Sequence, residues 1–251
     1  MQKKNYQEEI LNLIHSGLPQ QELAERLSDY HENDLADALA ALTPDERQKL
    51  YAVLGVERVA EIFSYLDDAE PYLKELPSEK AAKVVSNMDS DDAVDVLDDL
   101  EEEDKDKIVK QLDQDSAEDV RMLLSYGEDE IGSSMTTNYI CIRKDMTIRQ
   151  AMSELVKQAG ENDNISTLYV VDEEDKFYGA IDLKDLIIAR ADEKLEKLIA
   201  RNYPYVTDHE KISDCIDRIV DYAERSLPVL NDAGRLVGII TSSDVVCLLY
   251  T

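Results

Sequence analysis

Tryptophan is missing from these 251 residues, and phenylalanine (2), histidine (3) and cysteine (3) are scarce. Cys141, Cys215 and Cys247 form no C-x-x-C pair and are odd in number, so they are expected to be buried thiols of a reducing compartment. His15, His31 and His209 are scattered without ligand spacing, and capping or solvated roles are expected of them. No run of 18 apolar residues occurs, so nothing here is expected to span a membrane. The start, MQKKNYQEEILNLI, turns acidic before any apolar run develops, and no signal peptide is expected. Walker A and G-x-G-x-x-G loops are missing, as is any Ser/His/Asp or Cys/His grouping, so an enzyme is not expected.

Bases are the largest deficit. Against 56 Asp and Glu stand 27 Lys and Arg, a formal net charge of −29. That field repels nucleic acid and anionic head groups and attracts cations or basic partners. Hydrophobic residues still make up 43% of the chain, enough for a packed core.

From Tyr30 a repeat emerges whose phrases close on Leu42, Leu54, Leu66, Leu76, Met88, Leu100, Leu112 and Leu124. Several open with Thr-Pro or Pro-Ser and then an acid, as helices begin. Helices this short cannot stand alone in water, so each must bury its apolar face on its neighbours. The expected form is a right- or left-handed superhelix, preceded by one or two amphipathic helices over 5–30. After the linker YGEDEIGSSMTT (126–137) the texture changes to β-branched runs such as STLYVV and LVGII alternating with helical stretches. Residues 166–187 align without gaps on 225–246, and 138–152 on 202–216, which makes a tandem β-α-β-β-α unit. The turn Asn231-Asp232-Ala233-Gly234 reads as a hairpin.

Within "MDSDDAVDVLDDLEEEDKDK" (88–107) the first base is Lys105. At 3.6 residues per turn, Asp91, Asp92, Asp95, Asp98 and Asp99 share an arc of about 120°, opposite Ala93, Val94, Val96, Leu97 and Leu100. A solvated face, with Asp91 and Asp92 complementing the helix dipole, is one reading. Two features favour a divalent cation. No Lys or Arg sits at four-residue spacing to neutralise the face, and aspartate is a mediocre helix former. Mg²⁺ and Ca²⁺ take oxygen ligands, but one helix face cannot surround an ion.

The duplicated unit resembles the CBS domain. Gly238-Ile-Ile-Thr-Ser-Ser-Asp244 matches its G-h-h-T-x-x-D hallmark, and Gly179-Ala-Ile-Asp-Leu-Lys-Asp185 matches except for Asp182. An acidic short-helix superhelix, that linker and a CBS pair, in this order, resemble the cytosolic part of the MgtE family of magnesium transporters. The resemblance implies an N domain over 1–129, CBS domains over 130–197 and 198–251, and a transmembrane channel domain absent from this chain. It implies a Mg²⁺ sensor on the cytoplasmic face of the membrane, dimerising through its CBS domains and acting on that missing domain. Mg²⁺ ligands carried over are Glu61, Asp91, Asp95, a backbone carbonyl at Ser133, and Asp244. Ala223 and Cys247 stand where the family often has acids, so fewer sites are expected than the family maximum. A competing implication is an adenine-nucleotide sensor, with ATP held near Thr241 and Asp244; Asp182 and the net charge oppose phosphate. A protein-interaction scaffold is a third reading.

Overall fold

All but one of the repeat phrases hold a helix that ends before the closing residue. The structure, a computed structural model, describes residues 6–245 except 161, 192, 223 and 243. Ten helices open it: α1 (Gln7–His15), α2 (Gln20–Leu27), α3 (Glu32–Leu39), α4 (Pro44–Leu54), α5 (Val56–Phe63), α6 (Glu70–Lys74), α7 (Ser78–Val85), α8 (Ser90–Asp98), α9 (Glu102–Val109) and α10 (Gln114–Leu123). Leu39, Phe63, Leu73, Val85 and Leu97 are fully buried, and the repeat's closing residues follow three positions later. Leu42, Leu66, Leu76, Met88 and Leu100 donate their N–H to the carbonyls of those five, so each phrase closes on a tight turn. Leu54, in contrast, is the last residue of α4 itself.

The chain divides into two compact units, 1–88 with 92–120, and 89–91 with 121–251. In the first, α1, α3, α5, α7 and α9 contact one another in succession, which is the stacking expected of a helical repeat; α2 contacts α4. Sequence-local signals set the helix starts where they exist. Glu46 Oε2 accepts from both the N–H and the hydroxyl of Thr43 at 2.8 Å, ahead of Pro44 at the first helical position. His31 caps α3 by accepting the Asn33 N–H, and Asp113 caps α10 through the Ser116 N–H.

Two arginines add long-range ties at the turns into α3 and α4. Arg58 donates to the carbonyls of Leu27 and Tyr30 (2.9 and 2.8 Å) and to Glu32. Arg47 donates to the Leu39 and Leu42 carbonyls and forks onto Glu75. Both guanidinium groups are largely buried and give additional hydrogen bonds to carbonyls at helix ends.

The second unit holds β1 (Ile140–Arg143), α11 (Ile148–Gln158), β2 (Thr167–Val171), β3 (Phe177–Asp182), α12 (Leu183–Ile188), β4 (Val206–Thr207), α13 (Ile212–Tyr222), β5 (Ser226–Leu230) and β6 (Leu236–Thr241). The sheets β1-β2-β3 and β4-β5-β6 share one plan, a parallel pair followed by an antiparallel pair. Even the irregularities repeat. A register shift between Val170 and Val171 has its twin between Val229 and Leu230, and Asp175 takes the positive φ that Gly234 takes in the second hairpin. β4 is only two residues long, although the run YPYV suggests more; Pro204 has no N–H to give a ladder.

The two copies exchange their leading segments. Thr136, ahead of the first copy, pairs with Ile239 on β6, and Ala200, ahead of the second, pairs with Ala180 on β3. This explains the hallmark glycines. A Cβ on Gly238 would lie 2.5 Å from the Met135 sulfur and 3.0 Å from the Thr136 carbonyl; one on Gly179 would lie 2.6 Å from the Ala200 carbonyl. Each glycine admits the other copy's backbone. The first copy's core comprises Ile140, Ile142, Leu155, Leu168, Val170 and Ile181 among others, and Tyr169, Ala180 and Ile239 form a cluster joining the copies.

Candidate metal and nucleotide sites

On α8 the division read from the sequence is present. Ala93, Val94, Val96 and Leu97 are buried, Asp91 and Asp92 are half-buried, and Asp95 and Asp98 are exposed. The lack of a counter-charge at four-residue spacing is partly made good by tertiary structure, because Lys105 of α9 pairs with Asp98. Asp95 has a raised carboxyl pKa, through burial first and then the charges of Asp98 and Asp99. Its side-chain surface is nevertheless exposed, so the neighbouring charges are the firmer cause. Adding positive charge there would relieve a real repulsion.

Glu61 is exposed on α5, beside a shallow hollow of about 600 Å³ lined also by Leu54, Val56, Arg58, Lys83 and Asn87. Ser133 is half-buried in a 3₁₀ turn (Ile131–Ser134), its hydroxyl donating to the Glu130 carbonyl at 2.8 Å. Glu61 and Asp95 belong to the first unit; Asp91, Ser133 and Asp244 belong to the second. Among the described residues, no group of three or more His, Cys, Asp or Glu converges as a ready-made cage. Ala223 and Cys247 lie outside the described residues.

Asp244 is committed to its own backbone. Its Oδ2 accepts the Thr241 N–H at 2.7 Å, and Thr241 Oγ1 accepts the Asp244 N–H at 3.4 Å. The final T-x-x-D of the hallmark is thus a reciprocal cap where the chain turns from β6 into helix. In the first copy Asp182 does the equivalent work, accepting the Lys184 N–H at 2.7 Å. Burial raises the Asp244 pKa; the Thr241 hydrogen bonds oppose that rise, and the charge of Asp89 adds to it.

Asp89 is the acid that sequence reasoning passed over. Its Oδ1 accepts from the Asn138 side chain, while Asn138 Oδ1 accepts the Asp163 N–H at 2.8 Å. Next to it, Ser90 Oγ accepts the Thr137 N–H at 2.9 Å. Burial raises the pKa of Asp89, the Asn138 hydrogen bond opposes that rise, and the charge of Asp163 adds to it. Only the asparagine at 138, well outside the acidic stretch, could have signalled this.

As a donor set, these are hard carboxylate and carbonyl oxygens, which fit Mg²⁺ or Ca²⁺ and not a soft metal. The thiols are no competitors. Cys215 is buried and Cys141 half-buried, a departure from the expectation that all are buried, and burial pushes both up to about 11. For a nucleotide the fit is poorer, since Thr241 and Asp244 already satisfy each other and Asp182 adds negative charge.

Two β-α-β-β units of identical plan, exchanging leading segments and closing on G-h-h-T-x-x-D, define a tandem CBS pair, the class of protein to which the second unit belongs. Comparison with known families agrees, matching the CBS domain at residues 129–192 and 195–250 and the MgtE intracellular N domain at residues 30–129. Residues 30–129 are thus an MgtE intracellular N domain, and residues 129–250 carry two CBS domains. It is 36% identical over 210 residues to the magnesium transporter MgtE of Enterococcus faecalis, an alignment covering 82% of this chain and 46% of that protein. The chain therefore spans less than half of that relative's length. A crystal structure of the soluble part of a magnesium transporter superposes with a TM-score of 0.91 at 27% identity, covering 98% of each chain. The cytosolic domain of the Mg²⁺ channel MgtE in complex with ATP superposes with a TM-score of 0.84 at 29% identity, covering 96% of this chain and 99% of that one. No helix among the described residues is long and apolar enough to cross a membrane.

Proposed function

We propose that this chain is the Mg²⁺-sensing regulatory region of a magnesium transporter, on the cytoplasmic face of the membrane, acting on a transmembrane domain outside this sequence. The observation that carries the reading is the end-to-end match to the soluble part of such a transporter. At low Mg²⁺, carboxylates of the two units repel one another. At high Mg²⁺, hydrated ions bridge Glu61, Asp91, Asp95 and the Ser133 carbonyl to Asp244, and the closed module shuts the pore. Closure requires that the closed form bind Mg²⁺ more tightly than the open one. The domain limits of this module are 1–129, 130–197 and 198–251. Two chains pair through their CBS domains; exposed Val156, Ile187 and Ile188 on α11 and α12, and Val220 on α13, support that contact. The role is regulatory and not enzymatic.

Titrating Mg²⁺ at constant ionic strength while following small-angle scattering tests this. Compaction should appear with Mg²⁺ and be lost in Asp91→Ala and Asp244→Ala. Equal compaction with Na⁺, or none with Mg²⁺, would defeat the bridging mechanism. A second reading, binding of an adenine nucleotide by the CBS pair, is favoured by the ATP-bound relative. It would appear as an ATP-induced thermal shift that Thr241→Ala diminishes.

A further inference from the structure

The linker ahead of the first CBS copy is fastened to the second copy, at the turn from β4 into α13. Gly132 donates its N–H to the Asp208 carbonyl at 2.8 Å, Ile131 to the Glu210 carbonyl at 2.9 Å, and Ile212 returns an N–H to the Asp129 carbonyl at 2.9 Å. Side chains close over this backbone clasp. Tyr126 lies against Gly132 so closely that a Cβ there would meet the ring at 2.5 Å, and its hydroxyl donates to buried Asp208 at 3.1 Å. His209 packs its ring on Tyr126, with centroids 5.2 Å apart, and brings Nδ1 to 3.2 Å from Glu130 Oε1. Glu130 is itself preset, because its other oxygen accepts the Gly127 N–H at 2.8 Å.

We propose that His209 is a proton-operated fastener that holds the linker segment 126–134 to the second CBS copy, tight when the imidazole is charged and looser when it is neutral. Glu130 of the linker meets the ring directly, and the charges of Asp208 in its own turn and Asp232 in the β5–β6 hairpin also act on it. Lys211, two residues on, is engaged by Asp129. Imidazolium therefore meets an excess of negative charge, and neutral imidazole leaves that excess uncompensated. Consistent with this, the Glu130 hydrogen bond raises the His209 pKa, while the Gly127 N–H lowers that of Glu130. The sign follows: the fastener is complete below the ordinary histidine pKa and is lost as pH rises through the raised one. The exposed ring exchanges protons freely with solvent.

This inference does not depend on Mg²⁺ binding. The test is hydrogen exchange on the full chain at about pH 6 and about pH 8, corrected for intrinsic rates, reading the amides of Ile131, Gly132 and Ile212. Wild-type protection should fall with rising pH. His209→Gln should give lower protection that no longer depends on pH across this range, and Glu130→Gln should lower protection at about pH 6 and shrink the pH dependence. Tyr126→Phe, which cuts the tie to Asp208 and keeps the imidazole, should lower protection at both pH values and preserve the pH dependence. Equal wild-type protection at the two pH values, or a pH dependence that survives His209→Gln, would overturn the proposal.

Discussion

Tyr169 of β2 and Ser226 of β5 share a buried hydrogen bond of 2.7 Å between the two CBS copies. The tyrosine ring is flanked edge-on by Tyr139 and Tyr203, which occupy corresponding places ahead of the two copies. Removing only the hydroxyl, in Tyr169→Phe, leaves the buried Ser226 hydroxyl without this partner and should cost about 1–2 kcal/mol. Removing the ring, in Tyr169→Ala, should cost about 3–5 kcal/mol through the cavity left behind. Urea unfolding followed by a signal from the CBS pair measures both. Equal losses for the two variants would show that the ring's packing contributes nothing beyond the hydroxyl.

Arg58 ties the turn between α2 and α3 to α5 through two carbonyls and Glu32. Lysine cannot reproduce that fork, so Arg58→Lys should destabilise the helical unit by about 1–3 kcal/mol despite keeping the charge. Thermal melts of the variant and of Arg58→Met report it. If Lys restored full stability, the charge and not the geometry would be what matters.

Both arginines illustrate what sequence reading reaches and where it stops. The repeat, the duplication and the packed face of α8 were legible because helical and strand periodicities are local, and the registers of the two sheets bear the alignment out. Arg47 and Arg58 were not, since their acceptors lie in other helices and the carbonyls they satisfy carry no side-chain signature. The exchange of leading segments was hidden for the same reason: it is non-local, and the hallmark glycines that permit it read equally well as turn residues. Among the candidate ligands, the place of Asp95 on the acidic face was legible from periodicity, and the capping role open to Asp244 is seen in its bonds to Thr241. Asp89 became visible only through Asn138.

The capping box of α4 carries a pH signature. Hydrogen bonds from the Thr43 backbone, and secondarily its hydroxyl, hold the Glu46 carboxyl down to about 2, from an ordinary 4.5. A depressed carboxyl pKa supports folding above its ordinary value and loses that support as pH falls through the folded one. Thermal midpoints of the wild type should thus drop between about pH 5 and about pH 2, and Glu46→Gln should flatten that part of the slope. Thr43→Ala should lower stability near neutral pH by about 1 kcal/mol. An unchanged slope in Glu46→Gln would assign the acid sensitivity to other carboxylates.

Divalent-ion linkage separates Asp95 from its neighbour Asp98. Asp98 has Lys105 as its counter-charge, whereas Asp95 feels the charges of Asp98 and Asp99. If Asp95 is a ligand, Mg²⁺ at about a hundred times its dissociation constant stabilises the wild type by ~2.7 kcal/mol, and a chelator removes this gain. Asp95→Asn should match or exceed wild-type stability without Mg²⁺, because a repelling charge is gone, and should lose most of the Mg²⁺ gain. Asp98→Asn should do the reverse, giving up its pair with Lys105 and keeping the response to the ion. Melts of the three proteins in chelator and in Mg²⁺, at matched ionic strength, decide it. A Mg²⁺ gain of equal size in all three would mean that the ion acts by screening the whole acidic face and not by coordination at Asp95.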